Sequence, residues 1–212
     1  MYLKRNKVPR KWAIPRKGTK YLVVPLHSLN QGIPLLIVLR EMLKVIRIRK
    51  EAKKILNLGK IKINNKIIRE EKFPLTLFDI LDLDGKTFKI IIKNKKFNLI
   101  EVKGREAEEK IVKVKDKKIV KGNKVQINLS DGRNYLFKEK INTGDSVVID
   151  LKENKIKDIL PFKQNSKVLF IKGKHIGEEG LIEEIDKERK FISVKKEKEK
   201  INSRKGNLMV IK

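Results

Sequence analysis

Few side chains in this sequence have the types and spacing that catalysis requires. It has two histidines, His27 and His175, and no cysteine, so it contains no zinc-ligand motif. Two acidic groups, at positions 106–109 and 183–186, carry carboxylates that can act in acid–base chemistry. Both lie among lysines, which is more typical of solvated surface charge. We therefore predict a protein that is not an enzyme, with no catalytic residue, metal site, cofactor or small-molecule substrate.

A glycine-rich stretch near the C-terminus could bind phosphate through its backbone. Gly173, Gly177 and Gly180 can let the backbone turn tightly and bring its amides close to a phosphate. Their spacing does not match a nucleotide-binding loop, because no Lys-Ser or Lys-Thr follows and the flanking residues have strand patterns. The spacing leaves a phosphate-contacting loop and a simple glycine hairpin equally open. The contacts predicted for this loop are Lys172, Gly173, Lys174, His175 and Gly177.

The charge of the chain favours a polyanionic partner. It has 54 Lys and Arg against 26 Asp and Glu, a formal net charge of +28. Such a charge repels itself in a compact protein and is typical of proteins that bind nucleic acid. The 40% of hydrophobic residues excludes a wholly disordered chain, and the longest apolar stretch, residues 33–39, is too short to span a membrane. A membrane-surface role is disfavoured because the charge is not concentrated on one amphipathic helix.

The basic charge is densest in the first 40 residues. They contain nine Lys and Arg and no acid, together with four of the six prolines. Proline opposes long helices and central strands, so we predict a largely irregular basic extension that orders when phosphates neutralise it. Trp12 can stack on a base or pin the extension to its own protein, and the second is favoured. The predicted contacts are Lys4, Arg5, Lys7, Arg10, Lys11, Trp12, Arg16 and Lys17.

Residues 41–95 carry helical and then strand patterns. A helix is predicted from about Arg49 to a left-handed glycine cap at Gly59. A period-two strand follows, closed by a hairpin turn at Asn64-Asn65. The helix has a basic face with a single acid, Glu51, and two arginines lie at its entrance. The predicted contacts in this part are Arg47, Arg49, Lys50, Lys53, Lys54, Asn64 and Asn65.

From residue 96 onward, short apolar runs alternate with turn signals. Asp116-Lys117, Gly122-Asn123, Asp131-Gly132 and Gly144-Asp145 are among these signals, and their spacing predicts a small antiparallel β domain at 96–162. A further strand-rich part follows at 163–212. The whole pattern predicts an α+β multi-domain fold, divided at 1–40, 41–95, 96–162 and 163–212.

Two stretches resemble known RNA-binding units. Residues 49–65, from Arg49-Lys50-Glu51-Ala52 through Gly59 to Asn64-Asn65, resemble the signature of the S4-like (alpha-L) RNA-binding domain. Asn65 stands where glycine is usual, and asparagine also tolerates a positive φ. Residues 168–182, with their three spaced glycines, resemble the KOW motif of ribosomal proteins and transcription factors.

The order of these stretches resembles the S4e family, the archaeal and eukaryotic type of small-subunit ribosomal protein. The resemblance implies an S4-like unit, a central β domain and a C-terminal KOW (SH3-like) β barrel after the basic extension. It implies a cytoplasmic constituent of the small (30S) ribosomal subunit, archaeal in type, that binds small-subunit ribosomal RNA beside neighbouring ribosomal proteins. In the S4-like unit, it assigns RNA contacts to Arg49, Lys53, Lys54 and the Asn64-Asn65 turn. A KOW-type transcription or RNA-chaperone factor is the main alternative, and an RNA-modifying enzyme is a weaker one.

Overall fold

The computed structural model of the chain describes residues 2–27, 29–120, 124–137, 141–186, 191–196 and 199–212. These residues are mostly β-strand, with one α-helix of nine residues and several shorter helical segments. The chain divides into two compact units, Met1–Glu108 and Glu109–Lys212, which we call the N-terminal unit and the C-terminal unit. The fold is thus β-rich and multi-domain. Among the described residues, no helix is long and apolar enough to cross a bilayer.

The N-terminal unit is built around an antiparallel five-stranded sheet. In chain order its elements are β1 (Tyr2–Lys4), a 3-10 helix (Arg5–Lys7), β2 (Tyr21–Val23), β3 (Ile33–Pro34), α1 (Leu35–Ile37), a π-helix (Val38–Met42), α2 (Arg49–Asn57), β4 (Ile61–Ile63), β5 (Lys66–Ile67), β6 (Pro74–Leu75), β7 (Ile80–Leu83), β8 (Lys86–Lys93), β9 (Lys96–Glu101) and a 3-10 helix (Gly104–Ala107). The sheet has the order β5-β4-β7-β8-β9, and β1–β2 and β3–β6 form two further pairs. Because β9 is the edge strand of this sheet, the sheet continues past the predicted boundary at residue 95.

Helix α2 and the hairpin after it follow from local sequence. Ala52 and Leu56, four residues apart, are fully buried and form the apolar face of the helix. Gly59 follows the helix with a φ of 70°, the left-handed conformation that glycine adopts most easily. Strands β4 and β5 then pair around Asn64 and Asn65, whose φ values are 49° and 65°. The basic side chains of α2 are consequently left on its exposed face.

The first 40 residues contribute to the core of the N-terminal unit. Every residue from 33 to 39 is buried. Trp12 is 2% exposed, and its indole N–H donates to the carbonyl of Gly32 at 3.1 Å. The amide of Phe97 in β9 donates to the carbonyl of Lys11 at 2.7 Å. These contacts correct the prediction of an extension that orders only on phosphate binding, and they favour the alternative in which Trp12 pins this segment to its own protein.

The C-terminal unit contains two five-stranded antiparallel sheets. Its elements are β10 (Glu109–Val120), β11 (Lys124–Leu129), β12 (Asn134–Phe137), β13 (Ser146–Asp150), β14 (Lys155–Leu160), β15 (Lys167–Phe170), β16 (Glu179–Ile185), β17 (Phe191–Lys196), β18 (Glu199–Arg204), a 3-10 helix (Lys205–Asn207) and β19 (Leu208–Val210). The sheet orders are β12-β11-β10-β13-β14 and β18-β17-β16-β15-β19. The second sheet buries a core of Val168, Phe170, Ile182, Ile192, Val194, Ile201, Leu208 and Val210.

Strand β10 is shared by two pairings along its length. Its first half pairs with β13 and its second half with β11, and the register shifts between Val114 and Asp116. The shift is a β-bulge, which inserts an extra residue without ending the strand. The predicted turn at Asp116-Lys117 is therefore wrong. The predicted turn at Asp131-Gly132 does separate β11 from β12, whereas Gly122-Asn123 lies outside the described residues.

Long-range side-chain contacts join distant parts of the C-terminal unit. Lys113 on β10 is 8% exposed, and its ammonium donates to the carbonyls of Lys205 and Leu208, each at 2.6 Å. Glu109, the first residue of β10, accepts a hydrogen bond from Lys157 and another from Lys212 at 2.8 Å. These two lysines hold the pKa of Glu109 at about 2. The first strand of the unit is thereby tied to its last residues.

Candidate nucleic-acid interface

The outer face of α2 is a compact group of exposed cations. Arg47, Lys50, Lys53 and Lys54 are all exposed, and none of them forms an ion pair among the described residues. The one acid of the helix, Glu51, instead accepts hydrogen bonds from the backbone amides of Arg47 at 2.8 Å and Ile48 at 3.3 Å. These two bonds lower the pKa of Glu51 and cap the helix N-terminus. The positive charge of this face is consequently left for an external anion.

Arg49 differs from its neighbours because it has a carboxylate partner. Its Nε donates to the two carboxylate oxygens of Glu71 at 2.8 and 2.9 Å, and its Nη2 donates to the same group. Glu71 is 4% exposed, whereas about half of the Arg49 side chain is accessible. The guanidinium lowers the pKa of Glu71 mainly through these hydrogen bonds. Arg49 therefore ties the start of α2 to the segment before β6, a role that the resemblance did not suggest.

The two asparagines of the β4–β5 turn have different roles. Asn64 is buried, its Nδ2 donates to Asp79 at 2.5 Å, and its Oδ1 accepts from the amide of Ile80 at 3.0 Å. The carboxylate of Asp79 also accepts from the amide of Thr76 at 2.5 Å. The Asn64 side chain is thus engaged within the fold, and contact of this turn with RNA stays a prediction. Asn65 is exposed and remains available beside the hairpin.

Arg5 also turns out to hold its own protein together. Its guanidinium donates to the carbonyl of Thr19 at 2.7 Å, to the carbonyl of Pro15 at 2.6 Å and to the Thr19 hydroxyl at 2.9 Å. A side chain at Gly18, whose φ is 135°, would collide with this guanidinium at 2.9 Å. Arg5 therefore closes the loop that carries Arg16 and Lys17, and its contact with RNA stays a prediction. The ring of Trp12 is likewise buried and cannot stack on a base.

The remaining basic residues predicted in the first 20 positions lie at the surface. Lys11 is half-buried, and its backbone carbonyl is engaged with β9 as described above. The exposed members are Lys4, Lys7, Arg10, Arg16 and Lys17. They are presented by a folded segment, so an anion would meet them already positioned.

The loop between β15 and β16 presents two lysines and anchors its histidine. Lys172 and Lys174 are exposed, with Gly173 between them at a φ of 96°. His175 is half-buried, with Nδ1 3.1 Å from a carboxylate oxygen of Glu178. Lys196 donates to the same oxygen at 3.0 Å, and these contacts, Lys196 foremost, lower the pKa of Glu178. The histidine is therefore partnered inside the unit, while the lysines face solvent.

The glycines of this loop serve the fold in two ways. The amide of Gly177 donates to the carbonyl of Phe170 at 2.8 Å, so it is not free for a phosphate. A Cβ at Gly180 would lie 2.6 Å from Val194 and 2.8 Å from the carbonyl of Lys195. Gly180 is therefore needed where β16 and β17 approach each other closely. These contacts favour a structural role for the two glycines over amides that cradle a phosphate.

Sequence reasoning missed the partners that orient these side chains. Glu71 lies 22 residues after Arg49, and Asp79 lies 15 residues after Asn64. Neither acid belongs to a motif, so only the folded topology brings each pair together. The carbonyl of Asn207 accepts from the amide of Ile171 at 2.8 Å, which places the 3-10 helix Lys205–Asn207 beside the β15–β16 loop. No local pattern in the sequence indicates that approach.

These surfaces define a class of protein. They are exposed groups of lysine and arginine on a β-rich, multi-domain chain, the arrangement used to contact the phosphates of a nucleic acid. Among the described residues, no three His, Asp or Glu side chains are grouped so as to hold a metal ion. The arrangement is suited to binding through charge.

Comparison with known proteins identifies the family. The model of the ribosomal family S4e matches residues 84–156. Small ribosomal subunit protein eS4 of Methanocaldococcus jannaschii is 33% identical over 201 residues, which cover 88% of this chain and 82% of that protein. The protein of the same name from Methanocella arvoryzae is 35% identical over 190 residues, covering 87% and 80%. The crystal structure of the 30S ribosomal protein S4e from Thermoplasma acidophilum matches with a TM-score of 0.75 at 25% identity, covering 85% of this chain and 95% of that one. The chain belongs to the S4e family of ribosomal proteins.

Proposed function

We propose that this protein is a structural constituent of the small (30S) ribosomal subunit in the cytoplasm. There it binds small-subunit ribosomal RNA and supports subunit assembly and translation, with neighbouring ribosomal proteins as its other partners. The observation that carries RNA binding is the exposed basic face of α2, whose only acid is engaged in capping the helix. The names of the relatives support the assignment to the small ribosomal subunit. The role is one of binding, with no catalytic step.

The mechanism follows from the kind of cation that the chain uses. Of its 54 basic residues 43 are lysines, which act on phosphates as point charges and lack the planar fork that reads base edges. Each lysine that docks on a phosphate releases condensed counterions, so affinity depends strongly on salt. Specificity then rests mainly on the shape of the folded RNA. The protein acts by joining and stabilising RNA segments.

We also infer which parts of the chain correspond to named RNA-binding units. The run from α2 through Gly59 and β4 to Asn65, with its exposed basic face, supports an S4-like unit at 41–95. The glycine loop between β15 and β16 supports a KOW-type barrel at 163–212. Since β9 belongs to the first sheet, the proposed central β domain begins at β10 and continues to about residue 162.

A filter-binding titration over a range of salt concentrations tests the RNA-binding role. The triple variant Lys50→Gln, Lys53→Gln, Lys54→Gln removes three cations from the face of α2. If all three contact phosphates, the slope of log affinity against log salt should fall by about 2 to 3. The matched control changes three other exposed lysines of the same unit to glutamine, namely Lys86, Lys93 and Lys96. It should alter the slope far less.

Three results would count against the proposal. One is a wild-type salt slope near zero, and another is equal binding to unrelated RNA at every salt concentration. The third is an equal effect of the two triple variants, which would attribute binding to net charge alone. Co-sedimentation with 30S particles at high salt separates an integral constituent, which stays bound, from a KOW-type transcription or RNA-chaperone factor, which washes off.

A further inference from the structure

Lys113 is a buried cation of the C-terminal unit, and it has no part in the RNA binding proposed for α2. It lies on β10 in the C-terminal unit and donates two hydrogen bonds, to the carbonyls of Lys205 and Leu208. An ammonium has three N–H groups. Among the described residues, the third N–H of Lys113 has no acceptor, and no carboxylate lies within ion-pair distance. Burying a charged lysine without a nearby anion costs desolvation free energy, and a bound anion would offset that cost.

Two further lysines lie next to this buried ammonium. The side chain of Lys205 runs over Gly144, with its Nζ 5.2 Å from the ring centroid of Phe162. Lys172 is brought close by the backbone hydrogen bond between Ile171 and the 3-10 helix that begins at Lys205. Both lysines are exposed, and within the described part of the chain neither forms an ion pair. The nearby carboxylate of Asp145 is occupied by the backbone amides of residues 142 and 162, each at 2.9 Å.

The three lysines affect one another. Burial, followed by repulsion from Lys205 and Lys172, lowers the pKa of Lys113 to about 8. Directly across from Lys113 on β13, and so on the same face of the sheet, lies Ser146. Its hydroxyl is fully buried and has no hydrogen-bond partner among the described residues. Mutually repelling cations beside an unsatisfied hydroxyl form an environment that favours the binding of an anion.

We propose that Lys113, Lys172 and Lys205 form a phosphate-binding site in the C-terminal unit. The ligand is a phosphate oxyanion that accepts from Lys113 at the base of the site and from the two exposed lysines at its rim. It can be a backbone phosphate of RNA or free phosphate, and the RNA source rests on the function proposed above. The site adds to that function two lysines, Lys113 and Lys205, to which no motif pointed.

The test uses the full chain and the double variant Lys172→Gln, Lys205→Gln, which keeps the buried Lys113 and its hydrogen bonds to backbone carbonyls. Its matched control is Lys118→Gln, Lys195→Gln, two exposed lysines of the same unit. In the first arm, sodium phosphate is titrated against sodium chloride at equal ionic strength, with two-dimensional NMR of the backbone amides. Saturable shifts are expected at residues 171–173 and 205–208 in the wild type and the control, and should be lost in the double variant.

The second arm measures RNA binding against salt with the same proteins. The double variant should lower the slope of log affinity against log salt by up to about 0.9, the value for one lost phosphate contact, and the control should not. Phosphate shifts with an unchanged RNA slope support a site for free phosphate alone. Absence of saturable shifts together with an unchanged slope overturns the site. If wild-type protein binds no RNA, the proposed function fails while the phosphate arm still decides the site.

Discussion

Replacing Trp12 with alanine tests whether the basic N-terminal segment is part of the folded core. The indole is 2% exposed and donates to the carbonyl of Gly32. Truncating a buried tryptophan to alanine costs about 3–5 kcal/mol, because transfer energy is lost and a cavity is left. The unpaired carbonyl adds about 1 kcal/mol. We expect Trp12→Ala to lower the free energy of unfolding of the N-terminal unit by about 4–6 kcal/mol, a large part of the stability of a domain of this size.

Urea unfolding followed by circular dichroism measures this loss. Trp12 is the one tryptophan of the chain, so its fluorescence in the wild type identifies which transition belongs to the N-terminal unit. The matched variant Trp12→Phe keeps an aromatic ring and removes the N–H donor, and we expect it to cost about 1–2 kcal/mol.

A different pair of results is expected if Trp12 contacts RNA. If the ring stacked on an RNA base instead, Trp12→Ala would leave the unfolding midpoint unchanged. It would then weaken RNA binding by about 1–3 kcal/mol, or roughly 5- to 150-fold. That pair of results would refute the assignment of residues 1–40 to the core.

Three further predictions concern the polar contacts of the two units. Glu71→Gln should lower the unfolding free energy by about 1–2 kcal/mol at neutral pH, since Arg49 is half exposed. Because the folded pKa of Glu71 is below its usual value, urea unfolding should show this difference fading as pH falls below about 4. Asn64→Ala should cost about 2–4 kcal/mol in thermal or urea unfolding, whereas Asn65→Gly should stay within about 1 kcal/mol, since glycine accepts the same positive φ. The pKa of Lys113 is lower in the folded protein than in the unfolded chain. The unfolding free energy of the wild type, measured by urea unfolding relative to Lys113→Met, should therefore rise by about 3 kcal/mol between pH 8 and 10.5. A difference that does not change with pH would contradict a buried charge at Lys113.

Local signals in the sequence predicted the elements around α2 well. The helix start near Arg49, the glycine after its end and the Asn64-Asn65 turn all depend on neighbouring residues and on φ preferences. The exposed basic face of α2 was predictable for the same reason, because it follows from helical spacing. The assignment of this region to RNA contact stays a prediction for the individual side chains.

Contacts between residues far apart in sequence account for what could not be predicted. The proline-rich and acid-free N-terminal segment has the composition of a detached extension, but the burial of Trp12 depends on Gly32, 20 residues away. The Asp116-Lys117 pair has the residue types of a turn, but the pairing of β10 on both sides makes it a bulge. The acceptors of the Arg5 guanidinium, the carbonyls of Pro15 and Thr19, lie 10 and 14 residues further along the chain, and no local pattern indicates them.

The contact between Glu109 and Lys212 has a consequence for the order of folding. The two residues are 103 positions apart, and Lys113 reaches carbonyls 92 and 95 positions away. Contacts of such separation require a large loss of chain entropy before they form, which slows folding. During synthesis, Glu109 and Lys113 must wait for about a hundred further residues before Lys205, Leu208 and Lys212 exist, whereas the N-terminal unit can already be complete. We therefore expect folding of the C-terminal unit to be the rate-limiting step for newly synthesised chains. We also expect this unit to be the part most prone to misfolding during that interval.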